Sequence, residues 1–349
     1  MDAGVFGFAR MCWKSLKKAR LQSALQWVTA FKIVLPTYSG VSGKLGDLHG
    51  EERMSVYVKI QGGLGNQLFQ YAYAKTLSLH LGGTEVLLDV SGYPQKKTER
   101  AYQLDKYNIS LGVVKRKQEL VQKDVFWRCV RGVLPMRKMR ERIVVPWSWR
   151  SSKVTCYMCH HIQHFKNEFF VVQDKTYVEG FFQSEKFFSD YIPVIRSELT
   201  LHSSLNAENQ KMLERIKSCC SVAIHIRRGD YLYTADFMNT VTMQYYEKAI
   251  EKIKKLVADP VFFVFSDDLA FCRHVLGDGY VFVDINDCSS SYADLELMRM
   301  CRHHIIANST FSWWGAWLAS HPQQYVIAPL MWSNHEKCPV DLPERWVRI

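Results

Sequence analysis

The sequence predicts an α/β protein whose parallel sheets carry helices on both faces. Three observations carry that expectation. A strand, a glycine-rich loop, a helix and a second strand succeed one another from 56 to 90, the opening of a β-α-β unit. Short apolar runs then alternate with helix-period segments from 222 to 329. The 349 residues also exceed the size at which a single hydrophobic core stops growing, so two domains are expected.

Residues 1–53 differ in character from the rest of the chain. Ser15, Leu16, Lys17 and Lys18 lead into 21–27, an amphipathic helix at best, and 37–50 is rich in Gly, Ser and Thr and reads as linker. The leader lacks the compact apolar core and cleavage site of a secretory signal, and is expected to be a peripheral anchor or an upstream extension. The folded body is expected from Met54, as a 54–215 domain with a basic insert at 115–153 and a 216–349 domain. In the first, 56–60 reads as a strand, 67–81 as a helix, 86–90 as a strand, 115–175 as irregular, 177–182 as a strand and 184–191 as a helix. In the second, strands are expected at 222–226, 261–265, 280–284, 304–307 and 325–329. Helices are expected at 242–257, at 292–302 and, short, behind 308–310. In 242–257 the residues Met243, Tyr246, Ile250, Ile253 and Val257 recur at three- and four-residue steps.

Composition narrows the class. Apolar content of 48% and charged content of 23% describe a folded chain rather than a disordered one. No run of eighteen apolar residues is present to span a bilayer. Ten cysteines without a regular framework suit a reducing compartment, and the expected location is cytoplasmic. Cys156, Cys159 and His160 fit the C-x-x-C-H haem-attachment spacing, but that chemistry needs an export route; chance or a structural cysteine pair is the simpler reading.

Net charge is +11, and its placement matters more than its size. The insert 115–153 holds twelve Lys/Arg against three Asp/Glu, with Trp127, Trp147 and Trp149 interleaved. No zinc spacing or basic zipper accompanies it, so nucleic acid is not an expected partner. An anionic membrane surface, met peripherally on the inner face, or a lipid-diphosphate-linked substrate is the economical partner; a solvated helical face is the alternative.

Three polar clusters fall at the carboxyl ends of predicted strands, where open parallel sheets bind ligands. The first is His225-Ile226-Arg227-Arg228-Gly229-Asp230. Two adjacent arginines there are costly without an anion opposite them, and their planar forks suit a diphosphate. Asp230 can orient one guanidinium; a surface salt-bridge cluster is the competing reading. The second is Ser266-Asp267-Asp268, fit to bind a ribose, orient a base or cap the next helix. No Asp-x-Asp triplet occurs, and with two arginines at hand a divalent ion is unnecessary, so neither metal nor cofactor is expected. The third is Asn308-Ser309-Thr310-Phe311-Ser312-Trp313, where hydroxyls and amides at a helix start can hold phosphate oxygens or merely cap the helix.

The loop Gly62-Gly63-Leu64-Gly65-Asn66-Gln67 also opens a helix. It is neither a Walker loop nor a G-x-G-x-x-G fingerprint, and a tight turn with close helix packing competes with anion binding. Glu296, beside Asp294, can accept two N–H groups from guanine or sit as an exposed helix charge.

Together these pieces resemble glycosyltransferase family 11, the α-1,2-fucosyltransferases. The resemblance rests on 62–71 (GGLGNQLFQY), 179–185 (EGFFQSE), 225–231 (HIRRGDY), 265–268 (FSDD), Glu296-Leu297-Met298 and 308–317 (NSTFSWWGAW). It spans roughly 56–330. It implies a GT-B architecture of two Rossmann-like domains around a central cleft, with GDP-β-L-fucose as co-substrate and a terminal galactoside, in one version lipid-linked, as acceptor. It implies inverting transfer without a metal. By the same resemblance Arg227 and Arg228 grip the β-phosphate, helped by 308–312. Asp294, Glu296 or Asp267-Asp268 meet guanosine, and the loop with Gly63, Gly65, Asn66 and Gln67 faces the transfer site. His225 and Asp230 are candidates for the proton acceptor. The alternatives are a fucosyltransferase of another linkage or acceptor (α-1,6 or protein O-fucosyl) and a non-catalytic GDP-sugar or glycan-binding protein.

Overall fold

A computed structural model describes residues 55–93, 101–115, 142–144, 156–160, 165, 170–172, 174–234, 240–334 and 341–349. The leader 1–53 and most of the basic insert lie outside the described residues.

Among the described residues two six-stranded sheets form. The first contains β1 (Ser55–Lys59), β2 (Glu85–Asp89), β3 (Gly112–Val114), β4 (Arg142–Val144), β5 (Cys156–His160) and β6 (Thr176–Gly180), in the order β3-β2-β1-β6-β5-β4. All its pairings are parallel except β4 with β5. The second contains β7 (Cys220–Ile226), β8 (Pro260–Ser266), β9 (Val281–Phe282), β10 (His303–Ile305), β11 (Val326–Ala328) and β12 (Val347–Arg348). Its order, β12-β11-β10-β7-β8-β9, is fully parallel and reproduces the doubly wound dinucleotide-fold sequence of strands. The α/β class with two Rossmann-like halves is therefore what the chain forms. The first half keeps that order on one flank only, because β6 rather than β4 lies beside β1.

The α-helices among the described residues are α1 (Leu64–His80), α2 (Ile192–Glu198), α3 (Ala207–Lys217), α4 (Met243–Leu256), α5 (Leu269–Leu276), α6 (Ser291–Met300) and α7 (Thr310–Leu318). Strand alternation in β7 divides them between two faces. Val222, Ile224 and Ile226 pack with Tyr245, Tyr246, Ile250 and Ile253 of α4, the stripe expected from its periodicity. Ala223 turns the other way, with Ile216 of α3 and Leu297 and Met298 of α6. Both faces of the second sheet are thus covered, which is why its strands read as continuous apolar runs.

Three expectations need correction. The irregular reading of 115–175 missed β4 and β5; in particular the Cys156–His160 stretch is a strand paired on both sides. The helix expected at 184–191 is two 3-10 turns, Glu185–Phe187 and Ser189–Tyr191, and the α-helix begins afterwards, with a proline in its first turn. The strand expected at 280–284 shrinks to the two residues of β9.

Helix α1 is buried almost all round, from Leu64 to Ser78. A helix apolar on every side lies between layers rather than on a surface, and α1 packs on the first sheet and on α7.

Candidate active site

Each sheet has a point where neighbouring strands send their chains in opposite directions. In the first sheet it lies between β1 and β6, in the second between β7 and β10. Ligands of open parallel sheets bind just outside the strand carboxyl ends at such points. The glycine loop follows β1, Gln183 follows β6, the arginine loop follows β7 and Asn308-Ser309-Thr310 follows β10.

These segments meet. Asn66 Oδ1 accepts hydrogen bonds from Gln183 Nε2 (2.9 Å) and from Thr310 Oγ1 (3.0 Å), so one amide ties both switch points together. Gly65 is needed for that contact: a Cβ there would stand 2.5 Å from Phe311 N and 2.6 Å from Thr310 Oγ1. Gly62 has φ +84°, a conformation that favours glycine, and its carbonyl accepts from Tyr93 Oη (2.8 Å) and Gln67 Nε2 (3.2 Å). The tight-turn reading of this loop describes its glycines.

At the ends of β7 and β8, two ion pairs stand side by side. Arg227 Nη1 lies 2.8 Å from Asp267 Oδ2, and Arg228 Nε lies 3.0 Å from Asp268 Oδ2. Asp267 Oδ1 also accepts the Arg228 backbone N–H at 2.9 Å. The guanidinium of Arg228 sits 3.3 Å over the Phe271 ring, and that of Arg227 sits 5.4 Å over Tyr231. Asp268 caps α5 through the Phe271 N–H at 3.1 Å, while its own N–H donates to Ser266 Oγ. That backbone bond first, and Arg228 second, hold its carboxyl below the usual carboxylate range. Gly229 passes directly over the Asp267 carboxylate, where a side chain would collide.

The aspartates after β8 therefore do what the sequence reading asked of Asp230: they fix the arginines and offset two like charges. The Asp230 side chain lies outside the described residues. All four carboxylate and guanidinium groups keep roughly a quarter to a third of their side-chain surface exposed. The result is a pair of aimed, solvent-accessible donors on a rigid sheet edge, suited to phosphate oxygens. Tyr231 Oη donates to the Asn308 carbonyl at 3.1 Å, linking this cluster to the β10 turn.

Other candidates fall elsewhere. His225 is on the buried face of β7 rather than in the loop, with its ring 5.6 Å from that of Phe311. Burial first, and Arg227 second, push its pKa down to about 3, so it is neutral at pH 7 and a poor proton acceptor. Gln67 is fully buried and spends its amide on Gly62, Ala101 and Gln103 backbone groups. Ser312 bonds to backbone carbonyls inside the core, and Trp313 is fully buried with its ring stacked on Trp317. Ser309 caps α7, as the capping reading has it, whereas Asn308 Nδ2 donates to the distant Trp332 carbonyl. Asp294 is bonded to Asn286 (2.7 Å), and burial raises its pKa to about 6. Glu296 is engaged by Arg299 at 2.5 Å. Among the described residues no group of three or more His, Cys, Asp or Glu is gathered to hold a metal.

Gln183 stands in the sequence only as part of the 179–185 run of the family resemblance, with no role assigned to it. Gln103 stands alone in sequence, yet the Gln183 side chain and the Gln103 backbone N–H both join the glycine loop to distant segments.

Two Rossmann-like halves thus meet at their strand carboxyl ends, with paired arginines at one switch point. The chain belongs to glycosyl transferase family 11, whose model matches residues 55–347. An alpha-1,2-colitosyltransferase of Escherichia coli is 31% identical over 310 residues, covering 85% of this chain and 99% of that protein. The O-antigen biosynthesis glycosyltransferase WbnK of Escherichia coli is 28% identical over 84% of this chain and its own full length. Galactoside alpha-(1,2)-fucosyltransferase 1 of Ateles belzebuth is 32% identical over 163 residues, 43% of this chain and 44% of that protein. Among solved structures, fucosyltransferase NodZ from Bradyrhizobium aligns with a TM-score of 0.44 at 13% identity, over 77% of this chain and 94% of its own. Among the described residues no helix is long and apolar enough to cross a membrane.

Proposed function

We propose that this glycosyltransferase moves L-fucose from GDP-β-L-fucose to the 2-hydroxyl of a terminal galactoside, inverting the anomeric centre without a metal, in the assembly of a cell-surface glycan. The observation that carries the reading is the double Arg–Asp cluster at the ends of β7 and β8, facing the switch point joined to the glycine loop. The α-(1,2) linkage is shared by the names of two relatives from different kingdoms of life.

Breaking the C1–O bond of the donor builds negative charge on the departing nucleoside diphosphate while the sugar becomes oxocarbenium-like. Arg227 and Arg228 are held where that charge develops. Because Asp267 and Asp268 fix them before substrate arrives, little reorganisation is left for the transition state. The same two carboxylates are committed to guanidinium groups, which favours a fixed-cation over a bound-metal clamp. Proton removal from the acceptor hydroxyl falls late in a dissociative transfer and asks for little base strength, consistent with a neutral, buried His225.

The test is purified protein with GDP-fucose and lactose, with NMR of the product. An α-1,2-linked fucosyl product is expected; an α-1,6 linkage, or no turnover with any galactoside, refutes the reading. A second reading exchanges the donor sugar. The relative matched over 99% of its length is a colitosyltransferase, whereas the galactoside fucosyltransferase is matched over 44%. Faster transfer from a colitosyl than from a fucosyl donor would establish it.

A further inference from the structure

The arginine cluster leaves the rest of a nucleoside diphosphate two ways to run, because β7 lies between β8 and β10. On the β10 side Asn308 is bonded to the Trp332 carbonyl and Thr310 is packed against Gly65. A nucleoside end that avoids these contacts runs over β8 and β9. Val264 of β8 pairs with Phe282 of the parallel β9, so the chain leaves β9 at the same end of the sheet as Asp267 and Asp268. The loop that follows ends in the first turn of α6.

The start of α6 is not capped from within. Ser290, at its N-cap, makes no side-chain cap bond; its hydroxyl turns back to Asp287. The cap comes from the other half. Gln103, 4% exposed, accepts from Ser291 Oγ (2.9 Å) and from the Tyr292 N–H (3.1 Å) through Oε1. Its Nε2 donates to the Cys288 carbonyl at 3.0 Å. Lys106 adds its ammonium 5.9 Å over the Tyr292 ring. Behind Gln103, its backbone N–H donates to Gln67 Oε1 (3.0 Å), and Gln67 Nε2 holds the Gly62 carbonyl.

We propose that Gln103 is a positioning residue for the nucleoside end of the donor. It fixes the 286–291 loop and the first turn of α6 against the glycine loop without itself touching the nucleotide. This rests on the fucosyl-transfer reading above. Removing a buried side chain that satisfies three groups of one loop leaves each orphaned group to seek water, and of this loop's anchors among the described residues Gln103 is the one that reaches the glycine-loop side.

The experiment compares wild type with Gln103→Leu and Gln103→Glu. Gln103→Glu keeps an acceptor for Ser291 and Tyr292 but replaces the donor to Cys288 with a carboxylate oxygen, so it remains informative should the leucine variant fail to fold. Amide exchange of 286–296 is read by mass spectrometry, GDP affinity by calorimetry, and KM and kcat with GDP-fucose and lactose. For Gln103→Leu, exchange in 286–296 should rise at least about tenfold. KM for GDP-fucose and the Kd of GDP should rise on the order of tenfold, with kcat and the lactose KM within about threefold. Gln103→Glu should fall between. Unchanged exchange overturns the clamp. Faster exchange with unchanged GDP affinity and KM reduces Gln103 to a structural residue and overturns the positioning role. A wild type that neither binds GDP nor transfers fucose refutes the fucosyl reading and the nucleotide role together, while the exchange data still separate that failure from loss of the clamp.

Discussion

Replacing Gly65 by alanine tests how closely the two halves must approach. Gly65 stands in the first turn of α1, where alanine would ordinarily gain up to ~1 kcal/mol over glycine from helix propensity. Its Cβ, however, would lie 2.5 Å from both Phe311 N and Thr310 C, where ordinary contact begins at 3.4 Å. These are backbone atoms, so relief requires α1 and α7 to part by about 0.9 Å, the difference of those two distances. Overpacking of this kind costs ~1–3 kcal/mol, and contact with main chain on both sides puts it at the upper end. After the propensity gain, a net loss of roughly 2 kcal/mol is expected, lowering Tm by about 4–8 °C. Activity should suffer more, because the displaced residue is Thr310, whose hydroxyl holds Asn66; a misplacement near 1 Å costs on the order of 100-fold. Gly63→Ala is the control. Nothing lies within 4 Å of its Cβ position and its φ of −72° is open to alanine. Its stability loss should stay below ~1 kcal/mol, the cost of a poorer helix cap. Differential scanning calorimetry and kcat/KM on both variants decide the matter. If Gly65→Ala melts with wild type and keeps its kcat/KM, or if both alanines cost the same, the close approach does not organise the site.

Arg227→Ala should lower kcat by ~100- to 1000-fold with little change in urea midpoint, while Trp314→Ala, fully buried among aromatic rings, should cost ~3–5 kcal/mol of stability. Equal unfolding of both variants counts against the assignment. His225 and His304 are buried and neutral, with pKa values pushed by burial from 6.5 to about 3 and about 4. The unfolded chain binds their protons below its own pKa and the folded chain does not, so stability is lost as pH falls below about 6.5, by roughly 2 kcal/mol per residue at pH 5. Denaturation midpoints from pH 7 to 5 should show this slope, and it should lessen in His225→Asn. Activity in excess EDTA should match that without it; loss of turnover restored by added Mn²⁺ would overturn the fixed-cation clamp.

The periodic parts of the chain were legible. Residues 222–226 and the stripe from Met243 to Val257 declared themselves, since a strand covered on both faces and a helix covered on one leave different spacings. Residues 142–144 and 156–160 did not, because strand pairing is a property of neighbours far away in sequence. At the site, the arginines were legible because adjacent buried-edge cations demand a partner. That Asp267 and Asp268 answer them was not, since these are distant in sequence and near only in space, as β7 pairs with β8 from Cys220 to Ser266. Conversely, Gln67, Ser312 and Trp313 looked like ligands for the same reason that glycines and hydroxyls always do at a strand end. Burial, which sequence does not print, assigns them to the frame.

That frame bears on how the site works. Helix α7 follows β10 in the second half, yet Trp313, Trp314 and Trp317 share one apolar cluster with Phe69 of α1, Phe188 and the strands of the first sheet. Phe69 lies 4.5 Å from Trp313 and 4.9 Å from Trp314, and Phe188 stacks on Trp314. Both ends of α7 are held by first-half side chains. Asn66 takes its first hydroxyl, and Arg196 caps its last carbonyls, with the guanidinium 4.3 Å over Trp317. Glu185 adds the Trp317 indole N–H at 2.9 Å and Arg345 at 3.0 Å. Separating the halves would thus expose several of the largest buried side chains in the molecule, each worth ~2–3 kcal/mol in apolar transfer alone. A hinge that opened here would have to recover that apolar transfer from the substrate's differential binding. The two switch points are accordingly held at a fixed distance by packing, and the arginine–aspartate cluster meets its substrate already aimed. Specificity must then be set by the loops around that fixed centre.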